Sequence, residues 1–145
     1  MEMPRFFTLQ QAEQVLPDVE SAVREAISLK SSFERAQEEW KNFSRRVTVM
    51  GGVRVDHTQV SGEIGRRESI GQRLKETIEK IEEQGCLIKD LDTGLLDFPT
   101  LYRGEEVYLC WKLGERGISF WHGVQEGFRG RKPIDREFLD HHQGE

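Results

Sequence analysis

The chain has 145 residues, 32% of them charged and 36% hydrophobic, with a formal net charge of −5. That size suits one domain able to bury roughly 70% of its unfolded surface. The acidic balance argues against a nucleic-acid or anionic-membrane partner, and no apolar run approaches the ~20 residues of a membrane helix.

The first residues, MEMPRFFTL, lack a signal-peptide pattern, so the expected location is cytoplasmic. Two cysteines, Cys86 and Cys110, fit a reducing compartment. Thr8 and Gln11 have the spacing of a capping box, which starts a helix at Leu9. Pro17 is expected to break that helix or to open a new one. From there to about Val47 apolar residues recur at Val19, Val23, Ala26 or Ile27, Phe33, Trp40 and Val47, with Ala12 and Leu16 extending the stripe backward. This predicts an amphipathic helix of about 30 residues, roughly 45 Å long. Gly51-Gly52 turns the chain, and Asp56 can cap a second helix carrying Val60, Ile64, Leu74, Ile78 and Ile81, with Gly85 as its stop. Gly62, Gly65 and Gly71 weaken it and imply either a close helix approach or a frayed start. Residues 8–85 thus form an antiparallel helical hairpin.

Residues 86–123 read as a four-stranded antiparallel meander. Arg103-Gly104 is a two-residue turn that pairs Phe98 with Leu109, Leu96 with Trp111 and Asp97 with Cys110. Asp92-Thr93-Gly94 reads as a three-residue loop that pairs Ile88 with Phe98 and Lys89 with Asp97. Gly114 to Gly117 reads as a four-residue connection that pairs Trp111 with Phe120 and Leu109 with His122. Side-chain alternation then places Leu96, Phe98, Val107, Leu109, Trp111, Leu113, Ile118, Phe120 and His122 on the core face. Lys89, Asp97, Tyr108, Cys110, Lys112, Ser119 and Trp121 go to the outer face. Residues 124–145 form a basic loop and a tail, with one helical turn over 134–139 and a frayed end. The fold class is α+β: a long helical hairpin packed on the meander, as a single domain.

Several side chains carry candidate chemistry. Arg129, Arg131 and Lys132 stand among Gly127 and Gly130 and can cradle an anion, or they simply pair with the acidic surface. No metal and no cofactor are expected. The residues that would serve a metal are His122, Asp97 and Glu115, but in this register His122 points inward, Asp97 outward, and Glu115 lies about 13 Å along the strand from His122. Cys110 has no histidine on its face, which argues against a thiolate nucleophile. Tyr108 and Trp121 form either an outer contact patch or the seat of the C-terminal segment. Phe33, Trp40, Phe43 and Val47 lie too far along the hairpin to reach the sheet, so their apolar surface needs a partner. A second copy supplies one most simply, giving a homodimer or higher oligomer; an unknown protein partner is the other source.

The stretches FTLQQAEQVLP, GCLIKDLDTGLLDFP, VYLCWKLGE and FWH followed by GFRGRKP resemble the uncharacterised prokaryotic family called domain of unknown function 2203. The resemblance covers nearly the whole chain in order. It implies a small bacterial or archaeal protein and supplies no activity. The residues therefore favour a non-catalytic binding or interaction module that self-associates through its helices. The alternatives are a small metal-dependent enzyme using His122 and nearby carboxylates, or an anion or nucleotide binder through the Arg129–Lys132 loop.

Overall fold

The structure, a computed structural model, describes residues 5–49 and 57–144. The predicted Gly51-Gly52 turn and the Asp56 cap lie outside the described residues. Helix α1 spans Leu9–Val49 and α2 spans His57–Glu83. The capping box is formed in both directions: Gln11 N donates to Thr8 Oγ1 at 3.1 Å, and Thr8 N donates to Gln11 Oε1 at 2.9 Å. Pro17 does not interrupt α1, contrary to the expectation. Ala12 and Leu16 before it and Val19 and Val23 after it are buried in one core, so packing on both sides holds the helix continuous past the missing N–H.

The two helices run antiparallel, with the Arg73 and Arg66 side chains of α2 paired to Glu25 and Glu39 of α1. Of the three glycines of α2 in question, Gly71 alone meets the other helix: a Cβ there would lie 3.2 Å from the Phe33 ring, whereas Gly62 and Gly65 face open space. No helix among the described residues is long and apolar enough to cross a membrane.

Four antiparallel strands follow in sequence order: β1 Leu87–Asp90, β2 Leu95–Tyr102, β3 Glu105–Lys112 and β4 Phe120–Gly123. The β2–β3 register is the predicted one, with Asp97 opposite Cys110 and Phe98 opposite Leu109. The Arg103-Gly104 turn has φ of 52° and 81°, the left-handed pair that a two-residue hairpin needs. In the first hairpin Ile88 pairs with Leu96, not Phe98, and a bulge lies between Ile88 and Asp90. The cause is Gly94, where a Cβ would fall 2.5 Å from Leu113 Cβ and whose carbonyl accepts from Leu113 N at 3.0 Å. The turn is drawn against β3, and the slip of two residues keeps Ile88 facing the core.

The third hairpin departs by one residue. Cys110 pairs with Phe120, Leu109 with Trp121 and Tyr108 with His122. The connection is an irregular segment over residues 113–119, in which Trp111 Nε1 donates to Glu115 O at 3.0 Å and Lys112 N to Glu115 Oε1 at 2.7 Å. A one-residue shift exchanges the faces of the strand. His122 and Phe120 therefore turn outward and Trp121 inward, each the reverse of the expectation.

The C-terminal segment is docked, not frayed. Strand β5, Lys132–Pro133, pairs with β4, and Asp135 caps helix α3, Arg136–His141. Phe138 is buried against the rings of Tyr102 and Trp121, at 5.1 and 4.9 Å between centroids. Strand β6, His142–Gln143, pairs with the end of β2, and His142 Nε2 accepts from Leu9 N at 3.1 Å. The core lies between the first half of α1 and the inner sheet face, around Phe7, Val19, Val23, Leu96, Phe98 and Trp111.

Candidate functional site

The outward turn of β4 assembles a cluster on the outer sheet face. Asp97 comes from β2, Cys110 from β3 and His122 from β4, one side chain from each of three adjacent strands. All three are buried, at 1%, 1% and 3% exposure. Their ligand atoms lie within 4.8 Å of one another, a spacing that can hold a metal ion.

His122 defines the electrostatics. Its Nδ1 stands 2.8 Å from the carbonyl of Gly123, and a carbonyl only accepts, so Nδ1 carries a proton. Nε2 stands 2.9 Å from Asp97 Oδ1. With Nδ1 donating to Gly123 O, Nε2 and Asp97 Oδ1 cannot face each other at that distance as two bare acceptors. A proton or a metal cation has to lie there. The second carboxylate oxygen, Asp97 Oδ2, is buried with no hydrogen-bond partner among the described residues. The Lys89 ammonium stands 4.0 Å from it, beyond hydrogen-bonding reach.

Burial pushes the Cys110 thiol up to about 12; the Asp97 charge adds to this and Arg131 opposes it. Cys110 therefore stays protonated at neutral pH unless a cation binds it. Neither imidazole nitrogen of His122 is free to act as its base, because one holds Gly123 O and the other faces Asp97. That geometry argues against Cys110 as a thiolate nucleophile.

Around the cluster the basic residues are largely matched by acids. Arg131 donates Nη1 and Nη2 to the two oxygens of Glu115, both at 3.0 Å, and its guanidinium lies between the Phe120 and Phe128 rings, 4.0 and 4.4 Å from their centroids. Nη1 is also 4.0 Å from Cys110 Sγ. Lys132 donates to Glu126, which also accepts from Gly123 N; these contacts hold the Glu126 carboxyl below its ordinary range, Lys132 foremost. A cleft of about 230 Å³ opens over Asp97 and His122, walled by Lys89, Leu95, Val124, Glu126, Gly127 and Phe128.

The residues singled out in the sequence thus fall into three groups. Asp97 and His122 meet, and Glu115 reaches the same neighbourhood only through Arg131. Of the basic trio, Arg131 and Lys132 are paired with carboxylates and Arg129 is exposed. Tyr108 is buried beside His122 and beneath the Lys89 ammonium, and Trp121 lies under Phe138, so neither is an exposed outer patch. Phe33, Trp40, Phe43 and Val47 remain half-buried on the hairpin. Cys110 was not read as a metal ligand. Its pairing with Asp97 was legible, but the phase of His122 was not.

Fold and site together define an α+β protein in which a helical hairpin backs an antiparallel sheet and a buried carboxylate, thiol and imidazole meet on the sheet's other face. The model of an uncharacterised conserved protein family, DUF2203, matches residues 5–134, and the chain belongs to that family. No curated protein and no solved structure matches it.

Proposed function

We propose that this protein binds a single divalent transition-metal ion through Asp97, Cys110 and His122. The observation that carries the reading is that Asp97, Cys110 and His122 bring their ligand atoms within 4.8 Å of one another in a buried site, with Asp97 Oδ2 left without a hydrogen-bond partner among the described residues. A metal on Nε2 would satisfy the His122–Asp97 contact, and the contact of Nδ1 with Gly123 O is of the outer-shell kind that orients a ligating histidine. The unpartnered Asp97 Oδ2 and the Cys110 sulfur supply further donors. One nitrogen, one carboxylate oxygen and one thiolate suit zinc or a neighbouring borderline ion better than magnesium or calcium, which prefer all-oxygen sets. Free thiols also suit a reducing compartment such as the cytoplasm.

The test is native mass spectrometry of metal-stripped protein before and after zinc addition, with thermal melting in parallel. One zinc per chain and a raised Tm are expected; zinc at 100 times its Kd stabilises by about 2.7 kcal/mol. Cys110→Ala and His122→Ala should lose the stoichiometric ion. A wild type that takes up no metal and melts unchanged sinks the reading.

Self-association through the hairpin is a second reading, supported by a separate observation. Trp40 and Phe43, 6.0 Å apart, stay half-exposed, and α2 carries a shallow apolar groove at Gly71, Leu74 and Ile78. It expects an assembly whose size Trp40→Ala or Phe33→Ala changes; unchanged native mass in both variants would rule it out.

A further inference from the structure

The three donors are buried on the outer face of the sheet, and the cleft lies over Asp97 and His122, so that a metal held there would have room for a further ligand from that side. Three protein ligands with an open position is the arrangement of zinc sites that receive an exogenous ligand, in contrast to closed structural sites. The charges around the opening then decide what enters. A divalent ion is neutralised by the Asp97 carboxylate and the Cys110 thiolate together. Arg131 keeps Glu115 and Lys132 keeps Glu126. The Lys89 ammonium differs, because its one ion pair among the described residues is with Asp97 Oδ2, at 4.0 Å. A metal on Asp97 takes away that counter-charge and leaves Lys89 as the unmatched cation at the mouth. Its side chain is 42% exposed and rests 4.9 Å over the Tyr108 ring, which holds it at the opening.

The walls give the rest of the specificity. Leu95 lines the cleft, and Val124 and Phe128 are large apolar side chains left 42% and 43% exposed at its edge. The volume, about 230 Å³, is below the roughly 300–1,000 Å³ of pockets that take drug-sized ligands.

We infer that the metal's open position receives a small molecule with an oxyanion head, a carboxylate or a phosphate, and a short apolar body. One head oxygen binds the metal, the head pairs with Lys89, and the body lies against Leu95, Val124 and Phe128. This rests on the metal reading above and adds the class of ligand.

Cobalt(II) loading gives the readout, because a thiolate-ligated cobalt ion has visible absorption that changes when another ligand joins it. Cobalt-loaded wild type is titrated with benzoate and, separately, with inorganic phosphate. A saturable change in the visible bands with at least one of them is expected. Lys89→Gln should keep the parent cobalt spectrum and weaken the anion at least tenfold, and Lys89→Arg should restore most of the affinity. A cobalt spectrum that neither anion perturbs at millimolar concentration overturns this inference alone. So does an affinity unchanged in Lys89→Gln. Absence of any thiolate–cobalt absorption in the wild type removes the metal site and this inference with it.

Discussion

Cys86 and Cys110 are both buried thiols, yet their surroundings assign them different parts. Cys86 donates to the carbonyl of Ile81 at 3.3 Å at the end of α2, among apolar neighbours, and burial pushes it up to about 12. An unfolded thiol titrates near about 8.5. The folded value is the higher one, so the stability contributed by a neutral Cys86 is present below that unfolded value and is lost as pH rises from there toward 12. Urea midpoints measured at pH 7 and pH 10 should therefore fall less for Cys86→Ala than for the wild type; an equal fall in both would mean that Cys86 does not carry this dependence. Glu115 is the corresponding structural carboxylate beside the candidate site. It accepts from Lys112 N and from both Arg131 nitrogens. Hydrogen bonds to charged groups contribute about 1.5–3 kcal/mol. Arg131 and Glu115 are 13% and 26% exposed, which reduces that figure. Glu115→Gln is expected to cost about 1–2 kcal/mol in chemical denaturation.

At the scale of the element, α2 allows a controlled comparison. Ala is favoured over Gly in a helix interior by up to about 1 kcal/mol. Gly65→Ala adds a methyl into open space and should gain most of that. In Gly71→Ala the methyl meets the Phe33 ring at 3.2 Å, so the gain should shrink or change sign. Denaturation of the two variants side by side checks this, and equal gains would mean that the helices are not close at Gly71. The same contrast explains what could be read from residues alone. Arg103-Gly104 sets its hairpin by local backbone conformation, so the β2–β3 register and the Asp97–Cys110 pair were legible. The connection after β3 is governed by contacts that local pattern does not reveal: Glu115 folds back on Lys112 N and Trp111, and Arg131, far along the chain, holds the Glu115 carboxylate. Its two glycines suggested a symmetric four-residue turn, and the resulting one-residue error hid His122 from Asp97 and Cys110. Pro17 misled in the opposite direction, because a strong local signal was overridden by core packing on both of its sides.

For the whole molecule, the C-terminal segment matters more than its polar composition suggested. Phe138 is 1% exposed and covers Tyr102 and Trp121, while β6 extends the sheet along β2. Removing a buried Phe side chain costs about 3–5 kcal/mol. A chain cut after Ile134 loses that ring and the β6 pairing together. It should unfold at markedly lower urea, with Trp fluorescence already shifted toward that of exposed indole before the transition. A native-like midpoint would show the segment to be dispensable.

Strand β2 also has a bearing on the order in which the protein can be made. It takes β1, β3 and β6 as neighbours, and its Pro99 carbonyl accepts from Phe7 N at 2.7 Å. The polypeptide leaves the ribosome at about 5–20 residues per second, N-terminus first. Ala12, Leu16, Val19 and Val23 therefore emerge several seconds before the strands that cover them. The clasp of His142 on Leu9 N joins residues 133 positions apart and forms only after all the strands between them have emerged. The nascent helices spend that interval with an uncovered apolar stripe, and synthesis speed sets how long other chains can reach it.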